Sequence, residues 1–299
     1  MNNTPTVTVN QMREVDRLMV DEIGVSILMM MENASRNIAI LSRKLLGGNV
    51  KKKHIVVLCG KGNNGGDGLS AARHLINFGG TVTCILSEHK ENLRSNARVQ
   101  FNVLENIDAA IIEFSDEQKG LIQEKIKNSD LIIDALLGYN LKGNPEEPIA
   151  TLIRLANKSR KPILAVDIPS GLSGDAGEAS EPTIKATATL TLALPKVGLQ
   201  KDMAKEYVGE LYLADLSVPA VVYRKLGIDV PILFEFVGQT IQVIGEVMIG
   251  ITAIMVHRRV WKEHKINPLV YKEMQREQII GILGIVLLVA GYFIQILWN

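Results

Sequence analysis

The sequence predicts an α/β fold: a Rossmann-like, three-layer α/β/α domain on a mostly parallel sheet, followed by C-terminal hydrophobic helices. Three observations predict it. From His54 onward, short apolar runs of strand length alternate with stretches of helical periodicity. The first run opens directly into a segment with glycine at positions 60, 62, 65, 66 and 68, after which a helical pattern (Leu69, Ala72, Leu75, Ile76) begins. Beyond Pro231 the composition changes to long apolar runs.

Two helical patterns precede the first strand. Asn10 is placed to cap a helix over 11–23, with Met12, Val15, Leu18 and Met19 on one face and Gly24 ending it. Ser26 is placed to cap a second helix to about residue 46, with Leu28, Met31, Ile38, Leu41 and Leu45 apolar and Gly47 and Gly48 as the stop. The run Met29, Met30, Met31 reads as packing, because methionine is a flexible gap-filler. Strands are expected at 54–59, 81–86, 109–113, 130–134, 162–167, 186–193 and 210–214. Helices are expected at about 67–78, 91–106, 116–127, 148–157 and 196–206. Such alternation implies right-handed crossovers and a sheet covered on both faces.

Composition narrows the function classes. A net charge of +1 carries no electrostatic footprint for nucleic acid. Cys59 and Cys84 fall on predicted strands and read as small buried apolar residues, not as a disulfide or metal pair. The five histidines have no paired spacing, which argues against zinc. The first ten residues are polar and do not form a signal peptide, so the domain is expected to face the cytoplasm.

In this architecture ligands bind beyond the carboxyl ends of the strands, where the strand order reverses. Three loops lie there. The first holds Asn63, Asn64, Gly65, Gly66 and Asp67; backbone N–H groups at the following helix start are suited to an anion, and glycine lets backbone approach a ligand closely. It is not a Walker loop, since no Lys-Ser/Thr follows, and the GxGxxG spacing at Gly60, Gly62 and Gly65 is weak by itself. The second loop follows Asp134 and contains Gly138, Tyr139, Asn140, Leu141, Lys142, Gly143 and Asn144. The third follows Val166 and reads Asp167, Ile168, Pro169, Ser170, Gly171, Leu172. Three aspartates, Asp67, Asp134 and Asp167, thus converge on one sheet edge, as polar groups do at a binding crevice. Lys142 is either a charge partner for them or a solvated loop lysine.

With these residues in view the chain resembles the NAD(P)H-hydrate epimerases, the N-terminal domain type of the YjeF proteins. The resemblance rests on Cys59 to Gly68, on Asp134 to Gly143, on Val166 to Leu172, and on Met12-Arg13-Glu14-Val15-Asp16 with Met31-Glu32-Asn33-Ala34. It covers about residues 8–228, with Ser35 standing where the family usually has glycine. The resemblance implies interconversion of the R and S forms of NADHX and NADPHX, nicotinamide cofactors hydrated at C6 of the reduced ring. It also implies a bound potassium ion, a homodimer and a functional link to a separate dehydratase acting on the S form. Carried over, 63–67 contact phosphates and ribose, and 138–144 wrap the substrate. Asn64, Asp134 and Ser170 ligate potassium, and Asp167 lies at the nicotinamide ring. Epimerisation needs a placed acid and base; Asp167 is expected to handle the proton, with Lys142 as partner.

The tail departs from the family. Residues 231–299 are expected to form a membrane-associated segment with helices at about 236–256 and 278–298. The second is uncharged and long enough for a ~30 Å hydrocarbon core. The first carries Glu235, Gln239, Gln242 and Glu246 as a polar stripe and is expected to lie in the interface or to span against a partner. Six Lys/Arg residues between 257 and 277 favour a cytoplasmic connector. Two rival readings differ in class. A non-catalytic YjeF-type scaffold tethered to the membrane has no need of Asn63, Asn64, Asp67, Asp134, Asp167 and Ser170. An ordinary dehydrogenase is disfavoured because no acidic residue ends the second strand, Glu88 being the nearest.

Overall fold

The computed structural model describes residues 4–139, 143–230, 235–262 and 268–298, with side chains in the last two stretches described at 241–256, 272 and 274–293. Thr4–Val230 forms one compact unit, and the described residues 235–262 and 268–298 belong to a second.

In the first unit, helix α1 (Val9–Leu18) begins two residues earlier than its pattern suggests. Its cap is Thr8, not Asn10: the Thr8 hydroxyl accepts from Gln11 N, and the Gln11 side chain reciprocates on Thr8 N. A π-turn over Met19–Ile23 follows and ends at Gly24, whose φ is +83°. Ser26 caps α2 (Ile27–Leu45) by accepting from Met29 N. Then β1 (His54–Cys59), α3 (Asn63–Asn77), β2 (Thr81–Leu86), α4 (Ser95–Glu105), β3 (Ala110–Glu113), α5 (Lys119–Lys127), β4 (Leu131–Ala135), α6 (Ile149–Ser159) and β5 (Ile163–Val166) alternate. The unit closes with β6 (Ala188–Leu192), the short α7 (Lys205–Val208), β7 (Glu210–Ala214) and α8 (Ala220–Lys225).

The seven strands form one sheet in the order β3-β2-β1-β4-β5-β6-β7, every pair parallel. The direction of winding reverses between β1 and β4, so their carboxyl ends, at Cys59 and Ala135, open the crevice this topology reserves for ligands. Apolar side chains of α2, α3 and α4 pack on one face of β1 and β2, among them Ile38, Leu69, Leu75 and Phe101. On the other face Ile122, Ile126, Leu152 and Ile153 of α5 and α6 cover Val56, Leu58 and Ile132. Cys59 and Cys84 are both buried and unlinked.

Two sequence expectations are corrected. The helix expected at 67–78 starts at Asn63, so the polar-and-glycine segment 63–67 is not a loop but the helix's first turn. Glycine's poor helix propensity suggested otherwise, and tertiary contact overrides it. None of Gly60, Gly62, Gly65, Gly66 and Gly68 has a positive φ. Close approach is what requires them: a Cβ on Gly65 would lie 1.8 Å from Gly60 O, and one on Gly60 would lie 1.9 Å from Leu136 O. The helix expected at 196–206 is instead two 3₁₀ turns, Val197–Gln200 and Asp202–Ala204, before α7. That leaves Lys196 at the carboxyl edge of β6 instead of on a helix face.

In the second unit, α9 (Glu235–Lys262) and α10 (Pro268–Trp298) pack against each other. Gly245 and Gly284 meet at that contact: a Cβ on Gly245 would lie 2.6 Å from Gly284 O. Met274–Phe293 is long and apolar enough to cross a membrane, and Ile241–Val256 is a shorter apolar stretch.

Candidate active site

The crevice between the ends of β1 and β4 holds a cavity of about 470 Å³, within the usual range for small-molecule sites. Its two ends differ in chemistry. One is the start of α3, whose N-cap Gly62 supplies no capping side chain. The first N–H groups of a helix have no intrahelical partner, so this end is suited to an anion. Lys61, Asn63, Asn64 and Arg94 stand on the same wall, with Lys61 paired to Glu88 at 2.7 Å.

The other end is acidic and drier. Asp67, Asp167 and Lys196 are buried there, and Asp16 and Tyr139 are half-buried. Asp167 follows β5 directly with a φ of +67°, a left-handed conformation that aspartate tolerates better than most residues. That turn points its carboxylate back under β6, where Oδ1 accepts from Leu192 N at 3.1 Å and from the Lys196 ammonium in a short hydrogen bond. Lys196 also donates to Leu192 O at 2.9 Å and has none of its surface exposed, the only buried basic side chain among the described residues. Tyr139 donates to Asp16 Oδ2 at 2.7 Å. Burial pushes the Asp67 carboxyl well up from its ordinary value, and the charges of Asp167 and Asp16 add to this. Burial also raises Asp16, opposed by the Tyr139 hydrogen bond and the Lys196 charge. The Tyr139 hydroxyl is raised by burial and then by Asp16.

Beneath the floor lies a third cluster. Asp134, fully buried, accepts from Ser170 N at 2.8 Å, Ser170 Oγ at 2.6 Å and Leu136 N at 3.3 Å. Ser170 Oγ in turn accepts from Leu137 N at 2.9 Å, and Asn64 Nδ2 donates to Leu137 O at 2.9 Å. Every partner of Asp134 is neutral, and no ion pair among the described residues includes it. Desolvation therefore dominates and pushes its carboxyl up to about 6.

The structure thus brings Asn63, Asn64, Asp67, Gly138, Tyr139, Asn144 and Asp167 to one cavity wall. Gly65 and Gly66 lie behind it, where α3 meets Gly60 and Met31. Gly143 is off the wall and exposed, its carbonyl accepting from Ser180 Oγ at 3.2 Å. Asn140, Leu141 and Lys142 lie outside the described residues, so the pairing of Lys142 with Asp167 does too. The cation that does pair with Asp167 is Lys196, which the sequence reading passed over. Its signal was available: a lysine just beyond a buried parallel strand, on the edge where ligands bind. Asp16, read only as part of an approach motif, is likewise on the wall. Ser35, in place of the family's glycine, is buried with its hydroxyl satisfied: it donates to Glu32 O at 2.9 Å and accepts from Ser70 Oγ at 2.9 Å.

Residues 27–198 match the family described as YjeF-related protein N-terminus. Among curated proteins, an NAD(P)H-hydrate epimerase of Dehalogenimonas lykanthroporepellens is 38% identical over 222 residues, 74% of this chain and 86% of that one. One of Rhodopirellula baltica is 34% identical, over 75% of this chain and 89% of that one. A bifunctional NAD(P)H-hydrate repair enzyme of Moorella thermoacetica is 36% identical, but the match spans only 40% of that longer protein. Among solved structures, that of yeast ynu0 superposes with a TM-score of 0.66 at 28% identity, covering 76% of this chain and 95% of that one.

Proposed function

From the premise that this chain belongs to the YjeF-related protein N-terminus family, we propose that it is an NAD(P)H-hydrate epimerase, an isomerase that interconverts the R and S forms of NADHX and NADPHX. One observation carries the reading to this chain's own residues: a single cavity joins an uncapped helix start to a buried Asp167–Lys196 pair. The first suits the pyrophosphate of a dinucleotide, and the second suits proton transfer at its hydrated ring. Asn63, Asn64 and the free N–H groups at the start of α3 then hold the phosphates, with Gly65 and Gly66 supporting that turn from behind. Gly138, Tyr139 and Asn144 line the path to the ring, whereas Gly143 stands off the wall and the family contacts at Asn140, Leu141 and Lys142 fall outside the described residues. Asp67 and Asp167 face the ring. A dehydratase acting on the S form is the functional partner in this reading, supported by the relatives named as bifunctional NAD(P)H-hydrate repair enzymes.

The reading is tested by incubating the full chain with a mixed R/S hydrate and an S-specific dehydratase, following the R form by chromatography. Faster loss of the R form than in an enzyme-free control supports it. An unchanged R form with folded protein favours the tethered scaffold.

The Asp134 cluster suits potassium. The ion takes oxygen ligands without a strict geometry; Ser170 and Asp134, bonded to each other, offer a hydroxyl and a carboxylate, and Asn64, bonded to Leu137 O on the same loop, offers an amide. When bound, the ion offsets the Asp134 charge and braces the three strand-end loops. A pH dependence follows. Without potassium, folded Asp134 keeps its proton up to about 6, against an ordinary 3.8. Its contribution is therefore fully present below pH 3.8 and lost as pH rises through about 6. By linkage the loss is about 3 kcal/mol. Exchanging choline chloride for potassium chloride is expected to raise the denaturant midpoint strongly near pH ~8 and little near pH ~4.5. An equal effect at both would remove Asp134 from the ligand set.

The domain boundary at 230/231 separates, in this reading, the epimerase from a membrane anchor. The stretch Met274–Phe293 spans, and the basic connector and the epimerase domain face the cytoplasm. A homodimer is expected on family grounds. In fractionated cells the full chain should sediment with membranes and be released by detergent but not by alkaline carbonate. Recovery in the carbonate wash would reduce the tail to a surface contact.

A further inference from the structure

The cavity's acidic end is unusual in one respect: among the described residues three carboxylates, Asp16, Asp67 and Asp167, share it with a single buried cation, Lys196. Each carboxylate is close enough to perturb another electrostatically. Such an enclosure stabilises positive charge far better than a neutral or anionic species. Two routes could epimerise C6 of a hydrated nicotinamide ring. Ring opening passes through an uncharged aldehyde. Loss of the C6 oxygen passes through a cation, with the charge spread over N1 and C6. The carboxylates match the second.

Lys196 is placed to start it. Its ammonium has three N–H bonds, of which one goes to Asp167 Oδ1 and one to Leu192 O. The third has no protein acceptor among the described residues, although the side chain lines the cavity and is excluded from bulk solvent. Asp167 is similarly half-used: among the described residues both bonds to its carboxylate fall on Oδ1 and none on Oδ2.

Resting on the epimerase reading, we propose that Lys196 is the general acid of the reaction and that epimerisation proceeds by loss and return of water at C6. The C6–O bond breaks with its electron pair on oxygen, which takes a proton from Lys196 Nζ and leaves as water. The N1 lone pair forms the N1=C6 bond, and the carboxylates balance the charge. Water then adds to the opposite face of C6, and the N1=C6 π pair returns to N1. Asp167 Oδ2 takes the proton from the added water and, on rotation of the carboxyl group, returns it to Lys196 Nζ. The pair returns to its starting state, with no net oxidation.

The test uses the full chain, the mixed hydrate and water enriched in oxygen-18. Wild-type protein that forms each new epimer with a heavy oxygen at C6, turnover for turnover, supports the proposal. Epimerisation that outruns labelling, after subtraction of the enzyme-free rate, overturns it. Lys196→Gln and Lys196→Arg should lower kcat by roughly 10²–10⁴-fold, the usual contribution of a placed acid, with KM changed little. Either variant keeping the wild-type kcat overturns the proposal. Should Lys196→Gln fail to fold, the labelling of wild-type protein still decides. A wild-type protein with no epimerisation at all fails the underlying reading, a separate result.

Discussion

Asp167→Asn is expected to lower the rate of epimerisation by roughly 10²–10⁴-fold while the chain stays folded. The substitution keeps the shape and the local geometry. Asparagine also tolerates the left-handed backbone at φ +67°, and its Oδ1 can still accept from Leu192 N. What it removes is the charge, and with it both the proton acceptor and the counter-ion of Lys196. A buried ammonium left without its carboxylate destabilises the fold by about 3–5 kcal/mol unless it gives up its proton. The single variant should therefore show a native circular dichroism spectrum with a lower unfolding midpoint. Adding Lys196→Met removes the stranded charge, so the double variant should recover much of the midpoint and none of the activity. That combination separates chemistry from stability. An Asp167→Asn protein turning over at the wild-type rate would end the assignment of Asp167, whatever its melting behaviour.

Much of this site was legible because buried parallel strands write themselves as unbroken apolar runs. The span 54–59 coincides with β1 and 81–86 with β2, so the residues just past their ends were correctly located on the crevice. Asp134 and Asp167 could be singled out for the same reason, although the residue pattern put them in one class and only the family resemblance gave them different roles. The structure separates them. Asp134 is turned under the floor onto Ser170, and Asp167 is turned along the wall onto Lys196. Which way a strand-end carboxylate turns depends on loop dihedrals that no local pattern encodes. Lys196 was hidden by the false helix at 196–206; Leu199 and Ala204 are buried there by packing with Ile168 and Leu172 and not on a helix face. The Asp16–Tyr139 bond joins residues 123 positions apart, out of reach of any local periodicity. The start of α3 was misplaced because glycine argues for a loop whenever its neighbours are unseen.

The same crowding makes Gly65 the position where the smallest change should do the most structural damage. A Cβ there would sit 1.8 Å from Gly60 O, 2.6 Å from Gly60 C and 2.9 Å from Gly60 N. All three are backbone atoms, so no side chain can swing aside. Gly60 cannot retreat either: its own Cβ position is 1.9 Å from Leu136 O, and its N–H is bonded to Ala135 O at 3.0 Å. The helix start rests on the β1 turn, and the β1 turn rests on the end of β4. An added methyl must push α3 outward, opening the crevice and shifting the N–H groups at its anion end. Gly65→Ala is therefore expected to cost at least about 3 kcal/mol, the upper range for overpacking. That corresponds to a fall of roughly 6–12 °C in Tm for a domain of this size. Activity should fall with it, since a misplacement of about 1 Å at a site costs on the order of 10²-fold. Two other glycines calibrate the result. Gly120 in α5 has nothing within 4 Å of its Cβ position, so Gly120→Ala should raise stability by about 0.5–1 kcal/mol through helix propensity. Gly62 meets only Arg94 Nη1, at 4.0 Å, but lines the cavity. Gly62→Ala should leave Tm nearly unchanged and weaken substrate binding. If Gly65→Ala melts with Gly62→Ala, the close stacking of α3 on the β1 turn is not what fixes the anion-binding end of the site.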